Sequence, residues 1–173
     1  MRDRLRLAVA TIALLALVAA AIVIFWNPRT DVLLVRHAER AAQAGNDPPL
    51  SMAGEQRAET LTHVAGDAGI SAVFVSEFQR TQQTAAPLAT ALGLTPIEIP
   101  AADVAALVSE IRSRRGSTIL VAGHSNTVPL IIDELGGGIV PAIAEPEFDN
   151  LYVLFIPRWG SPRLVRLKYG EPT

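Results

Sequence analysis

Four consecutive apolar residues, Val32 to Val35, run straight into Arg36 and His37, and this stretch, DVLLVRHAER, leaves few folds open to the chain. A run that short and that apolar on both faces suits a buried strand of a parallel sheet. In open α/β sheets ligands bind outside the carboxyl ends of the strands, so an imidazole at that point is well placed for chemistry. Two later runs behave the same way. Ala72 to Val75 leads into Ser76 and Arg80, and Thr118 to Ala122 leads into Gly123, His124, Ser125 and Asn126. One histidine at one strand end is weak evidence; three polar strand ends in succession point to a site.

The remaining pattern alternates accordingly. Residues 41–50 read as a loop, with Gly45, Asn46, Pro48 and Pro49. Ser51 caps a helix expected to run to about Ala68, with Met52, Leu61 and Val64 apolar and Glu55, Arg57 and Glu59 on its wet side. A helix over residues 78–92 follows the second strand, and Pro87 should bend or interrupt it. A third strand is expected over 95–99, a helix over 102–114 and, after the strand over 118–122, a helix over 127–135 closed by Gly136, Gly137 and Gly138. Residues 152–156 and 164–167 form a hairpin around 157–162. The order β-α-β-α-β-α-β-α-β-β implies an α/β fold, a three-layer αβα sandwich on a mostly parallel sheet with an antiparallel edge.

Ahead of this domain, residues 7–26 carry no charge and only one hydroxyl, and as a helix they would span roughly 30 Å, one bilayer core. The sequence predicts a basic start (1–6), a transmembrane anchor (7–26), a short linker (27–30) and a globular domain (31–173). A cleaved signal peptide is the alternative; the apolar run is long for one, and Ala19 to Ala21 are followed by more apolar residues. Arg2, Arg4 and Arg6 favour a cytoplasmic start, which places the domain outside the cytoplasm, in the periplasm of a bacterium, or in the medium if the segment is cleaved. There is no cysteine, so neither a disulfide nor a lipidated thiol anchors the chain.

Residues 1–29 hold four Arg and one Asp, which leaves 11 basic and 16 acidic residues for the rest, a formal net charge of −5. Such a domain is not built to bind nucleic acid. An anion must be caught by a local cluster, and the strand ends supply one: Arg36 with His37, Arg80, and His124. Arg forks suit phosphate oxygens, and a helix starting near Thr127 aims its free N–H groups at the same place. A neutral imidazole can attack phosphorus while fixed cations offset the charge repulsion. A two-His, one-carboxylate metal site from His37, His124 and Glu39 is the rival reading, disfavoured by the adjacent Arg residues. His63 is expected to be a solvated side chain. Arg112, Arg114 and Arg115 suit a helix C-terminus and its dipole.

LVRHAER, SEFQRTQQT and VAGHSNTVP, in that order, resemble the histidine phosphatase superfamily, the phosphoglycerate mutase-like fold, and most of all its compact branch of phosphohistidine phosphatases. The resemblance covers about residues 31–168. It implies that His37 accepts the phosphoryl group, that Arg36 and Arg80 bind it and that His124 is the second pocket histidine, with no cofactor and no metal. Glu39 matches an acidic position of the family, orienting arginines or assisting proton transfer. Two motifs depart from the commoner forms: RHG is RHA here and GHG is GHS. Larger members carry a Glu acid in an insertion for which this chain has no counterpart, and Asp103 is the candidate for that role. The substrates implied are a phosphorylated small molecule or phosphoprotein, with easy leaving groups such as phosphohistidine, anhydrides or aryl esters. A phosphomutase, or a membrane-tethered sensor that binds phosphorylated ligands without turnover, are the alternatives.

Overall fold

The computed structural model describes residues 4, 11–18, 29–42 and 45–173. From Thr30 onward the order is β1 (Thr30–Arg36), α1 (Met52–Ala65), β2 (Ile70–Val75), α2 (Gln79–Leu92), β3 (Ile97–Glu98), α3 (Val104–Ser113), β4 (Thr118–Gly123), α4 (Thr127–Glu134), β5 (Asn150–Ile156) and β6 (Arg163–Lys168). The strands form one mixed sheet in the order β3-β2-β4-β1-β5-β6. β3, β2, β4 and β1 are parallel, while β5 pairs antiparallel with β1 and β6 with β5.

Alternation along each strand splits the apolar runs between two cores. Val32, Leu34, Phe74, Ile119 and Val121 face one side, where Val108 and Ile111 of α3 and Val128, Ile131 and Ile132 of α4 pack on them. Leu33, Val35, Val73, Val75, Leu120 and Ala122 face the other, against Leu61 and Ala65 of α1 and Ala85, Leu88 and Ala89 of α2. A strand buried on both faces must be apolar at every position, which is why the runs read as continuous. Each fully buried Leu, Ile or Val contributes roughly 1.5–3 kcal/mol.

The structure departs from the sequence expectations at several points. β3 shrinks to two residues because Pro96 and Pro100 flank it and cannot donate to a ladder. Pro87 does not interrupt α2; the lost hydrogen bond is outweighed by the burial of Thr84, Ala85, Leu88 and Ala89 on the same helix. α1 ends at Ala65 rather than near Ala68, and its core face differs from the one expected: Met52 and Val64 are exposed, while Gly54, Arg57, Ala58, Leu61 and Ala65 are buried. Gly54 is there because a Cβ would lie 2.2 Å from the Glu39 carbonyl oxygen. Of the expected anchor, Thr11–Val18 are helical and exposed, and the rest of 7–26, with the linker residues 27 and 28, lies outside the described residues. Among the described residues no helix is long and apolar enough to cross a membrane.

Arg57 is the largest surprise on α1. Only 4% exposed, it forks onto the Glu39 carboxylate through Nε (3.0 Å to both oxygens) and Nη2 (2.7 Å), and donates to the carbonyls of Tyr169 (2.8 Å) and Glu171 (2.9 Å). One guanidinium thus ties the loop after β1 to the chain's C-terminal segment. Replacing Arg57 by Ala leaves a half-buried carboxylate and two carbonyls unpaired, and should lower stability by about 3–5 kcal/mol, read as a shift in the chemical-denaturation midpoint.

Candidate active site

The parallel register of β1 and β4 pairs Arg36 with Gly123, so the next residues, His37 and His124, leave the sheet side by side. The His37 N–H donates to the Gly123 carbonyl at 2.8 Å, and the two rings lie 5.5 Å apart in an edge-on arrangement. β4 is also paired with β2, and Ser76, just past the end of β2, brings its Oγ to 3.0 Å from His124 Nε2. The three polar strand ends converge. With Arg80 from the first turn of α2 they open onto a pocket of about 510 Å³, lined by Arg36, His37, Arg80 and His124 together with the start of α4 at Asn126 and Thr127.

His37 Nδ1 lies 2.8 Å from the Ala38 carbonyl oxygen. A carbonyl only accepts, so Nδ1 carries the proton and Nε2 keeps the lone pair. The loop holding the ring is fixed from α2, because the Ala38 N–H donates to Thr84 Oγ1 (2.9 Å), whose hydroxyl donates to the Arg80 carbonyl (2.6 Å). The His37 loop and Arg80 therefore share one anchor. Thr81 Oγ1, 2.9 Å from Ser76 Oγ, extends the hydrogen-bonded chain behind His124.

Both pocket histidines have their pKa pushed down to about 4. Burial is the leading cause for each, and Arg36 and Arg80 add to it; for His37 the Ala38 bond and for His124 the charge of Glu77 work in the opposite direction. Low-dielectric burial, with His37 and His124 only 5% and 8% exposed, outweighs the nearby arginines in this effect. Both rings are neutral at pH 7.

The two arginines are each stacked on a phenylalanine, Arg36 over Phe148 and Arg80 over Phe78, at 4.2 Å from the ring centroid. Arg36 is 2% exposed and its Nη1 is held by the carbonyls of Ala144, Glu145 and Glu147 at 2.8–3.1 Å, while Nη2 lies 3.4 Å from the Glu145 carboxylate. Its Nε is buried with no partner among the described residues. Arg80 is held more loosely, 3.5 Å from the Asn46 carbonyl and 3.7 Å from Asp47. Nη2 and Nε of Arg36 and the fork of Arg80 are the donors left for an anion's oxygens.

Glu39 and Asp103 do not line this pocket. The Arg57 fork takes up the Glu39 carboxylate; burial alone would raise its pKa, and the fork more than offsets that and lowers it. Among the described residues His37, His124 and Glu39 do not come together as a group that could hold a metal ion. Asp103 caps α3, its Oδ1 accepting the Ala106 N–H at 2.9 Å. Sequence reasoning missed Glu77, which lines the pocket and accepts the Ala101 N–H (2.8 Å), and Asp47, which caps α2 through the Gln79 N–H (2.9 Å). It also missed Glu145, which bridges Arg36 and Arg40, and Phe148. These residues lie in turns and in the segment between α4 and β5, where no periodicity marks them.

The sequence profile described as "Histidine phosphatase superfamily (branch 1)" matches residues 32–103, which hold Arg36, His37 and Arg80. Over this stretch the chain is similar to the histidine phosphatase superfamily. Among its relatives, the Enterobacter sp. (strain 638) protein named "Probable phosphoglycerate mutase GpmB" is 43% identical over 69 residues, covering 36% of this chain and 32% of that one. The chain thus spans about a third of the curated relatives it matches. Of solved structures, the protein histidine phosphatase SixA complexed with tungstate superposes with a TM-score of 0.67 at 21% identity, over 80% of this chain and 96% of that one. A mycobacterial glucosyl-3-phosphoglycerate phosphatase does so with a TM-score of 0.63 at 15% identity, over 82% and 98%.

The Cβ atoms at Ala38 and Ser125 cost no strain, because no described non-glycine residue has a positive φ. Two outcomes follow from the electrostatics of the pocket. With the ring pKa values near 4, kcat/KM toward a phosphate ester, corrected for ionisation of the substrate, should show no enzyme-derived fall through pH 6.5 and should drop only as pH approaches 4, where His37 is protonated. Glu145→Gln removes the carboxylate that competes for Arg36 and Arg40, and should tighten inhibition by tungstate or phosphate about three- to tenfold.

Proposed function

We propose that this protein is a phosphatase that works through a phosphohistidine on His37. The observation that carries the reading is the unprotonated Nε2 of a buried, neutral His37, held by the Ala38 carbonyl in a pocket that Arg36 and Arg80 also line. Nε2 attacks phosphorus, the bond to the leaving group breaks and the leaving group departs with the electron pair. Arg36, Arg80 and the N–H groups at the start of α4 balance the charge on the equatorial oxygens. Water then attacks the phosphohistidine, the P–N bond breaks and its pair returns to Nε2. His124, neutral and backed by the Ser76 and Thr81 hydroxyls, donates to the phosphoryl group from the other side.

The substrate class follows from where the carboxylates are. Glu39 is clasped by Arg57, Asp103 caps α3, and Glu145 is held below the ordinary carboxylate range, chiefly by its hydrogen bond to Arg40, and so stays ionised. Glu77, in the pocket lining, has one oxygen on the Ala101 N–H. Among the described residues the acids that line the pocket are Glu77 and Glu145, each already hydrogen-bonded to the protein, and general acid catalysis is worth about 10²–10⁴-fold, most for an alkoxide leaving group. Phosphohistidine, mixed anhydrides and aryl phosphates are therefore the preferred class, on small molecules or on phosphoproteins that reach the open pocket. Transfer to a second hydroxyl, the phosphomutase reading that the names of the sequence relatives favour, would give a rearranged phosphate ester in place of inorganic phosphate.

We also place the domain on a membrane, outside the cytoplasm. An uncharged stretch over 7–26, Arg2, Arg4 and Arg6 before it, and an apolar helix over 11–18 exposed on every side support this.

With an aryl phosphate the protein should take up an acid-labile, base-stable label on His37, and His37→Ala should abolish the label and lower turnover by about 10³-fold or more. Phosphoramidate and aryl phosphate should be hydrolysed about 10²-fold or more faster than an alkyl phosphate; faster hydrolysis of a sugar phosphate would sink the substrate assignment.

A further inference from the structure

A second pocket, of about 520 Å³, opens at the end of the sheet opposite to the active site. Its place follows from strand direction. β1 starts there at Thr30, β5 ends there at Ile156, its register partner, and α3 ends there at Ser113. Along seven residues of β1 the two pockets are separated by roughly 20 Å. Ile111, Ile156 and Pro157 supply apolar walls, and Arg112, Arg115 and Arg158 supply the polar groups.

Read along α3 alone, Arg112 and Arg115 are cations at a helix C-terminus. The fold adds Arg158 from the β5–β6 hairpin, so two elements deliver three exposed guanidiniums to one apolar hollow. Among the described residues no carboxylate lines it. The nearby acids are engaged elsewhere, Asp31 by Arg29 and Glu110 by Arg114, and Arg112 donates to a backbone carbonyl, that of Glu134. Among the described residues no ion pair neutralises Arg112, Arg115 or Arg158. In a domain of net charge −5 this is where an anion of amphipathic surroundings would be held. Trp159, 57% exposed, stands beside the hollow with Arg158 at 4.8 Å from its ring centroid, the pairing of an aromatic and a cation that belongs at a membrane interface.

The position of this end relative to the N-terminal segment decides the occupant. Thr30, on the pocket wall, lies four residues beyond Trp26, the last residue of the uncharged stretch. Four residues reach no more than about 14 Å, so an anchor over 7–26 holds this end of the sheet against the headgroups and turns the active site toward the aqueous phase. We propose that the pocket formed by Arg112, Arg115 and Arg158 binds the headgroup of an anionic phospholipid and seats the domain on the bilayer surface. This assignment rests on the membrane anchor proposed above.

The test uses the full chain carrying Trp26→Phe, which leaves Trp159 as the one tryptophan, added to vesicles of phosphatidylcholine with or without phosphatidylglycerol and a headgroup-level quencher lipid. Flotation with the vesicles reports the anchor; quenching of Trp159 reports the seat. Quenching at least about twofold greater with phosphatidylglycerol, abolished by high salt and by the triple variant R112Q/R115Q/R158Q, is the expected result. An unchanged thermal midpoint of the triple variant shows that the fold is kept. Flotation with Trp159 equally exposed in both vesicle types overturns the lipid site and leaves the anchor standing, whereas failure to float overturns both. Loss of quenching in inorganic phosphate, but not in chloride of equal ionic strength, overturns it in favour of a small-anion site.

Discussion

The ladder between β1 and β4 is the constraint on which the site depends. Parallel strands in register have their ends at one level, and the pairing of Arg36 with Gly123 is the last rung. One residue beyond it, the chain puts an imidazole on each strand. A slip of one residue would send one ring to the opposite face of the sheet, because side chains alternate with a period of two. The register is held by apolar pairs such as Val32 with Ile119 and Leu34 with Val121, whose side chains belong to the same core. Packing energy in two dry layers therefore sets the 5.5 Å separation of the two imidazole rings.

Around this ladder the protein spends its buried charges on holding loops. Arg57 joins the loop after β1 to the C-terminal segment, and Arg36 joins β1 to the carbonyls of residues 144–147. Each guanidinium makes several hydrogen bonds, which offset the desolvation that would otherwise make its burial unfavourable. The two cases differ in what remains. Arg57 faces a full carboxylate and is spent on structure, whereas Arg36 meets mostly neutral carbonyls and keeps a net charge for an incoming anion. Low dielectric at the same place keeps both imidazoles neutral beside two fixed cations.

The two ends of the sheet are chemically different for the same topological reason. Parallel strands and the helices that return them deliver strand C-termini and helix N-termini to one end, and helix C-termini to the other. The end carrying His37 and His124 thus receives free N–H groups, and the end carrying Arg112 and Arg115 receives helix carbonyls, beside which cations are favoured. An antiparallel edge, β5 and β6, adds Arg158 and Trp159 to that second end through its turn.

Residue pattern alone determined the strands, their sequence and the polar groups that the strand ends present, because a short apolar run ending in Arg-His, Ser-x-x-x-Arg or Gly-His is a local signal that survives any packing. It also carried the two-sided burial of the sheet, since strands apolar at every position need a core on each face. What tertiary structure decided is everything that depends on partners distant in the chain. Arg57 looks like a wet helix residue until Glu39 and the carbonyls of Tyr169 and Glu171 surround it, and Met52 and Val64 look like core until α1 is rotated by that contact and by the close approach at Gly54. Glu39 looks available to the site until the same fork takes it, and Arg158 looks like a loop charge until the hairpin carries it beside Arg115. Local sequence sets which groups a strand end presents; only the packed whole sets which of them are left with charge to use.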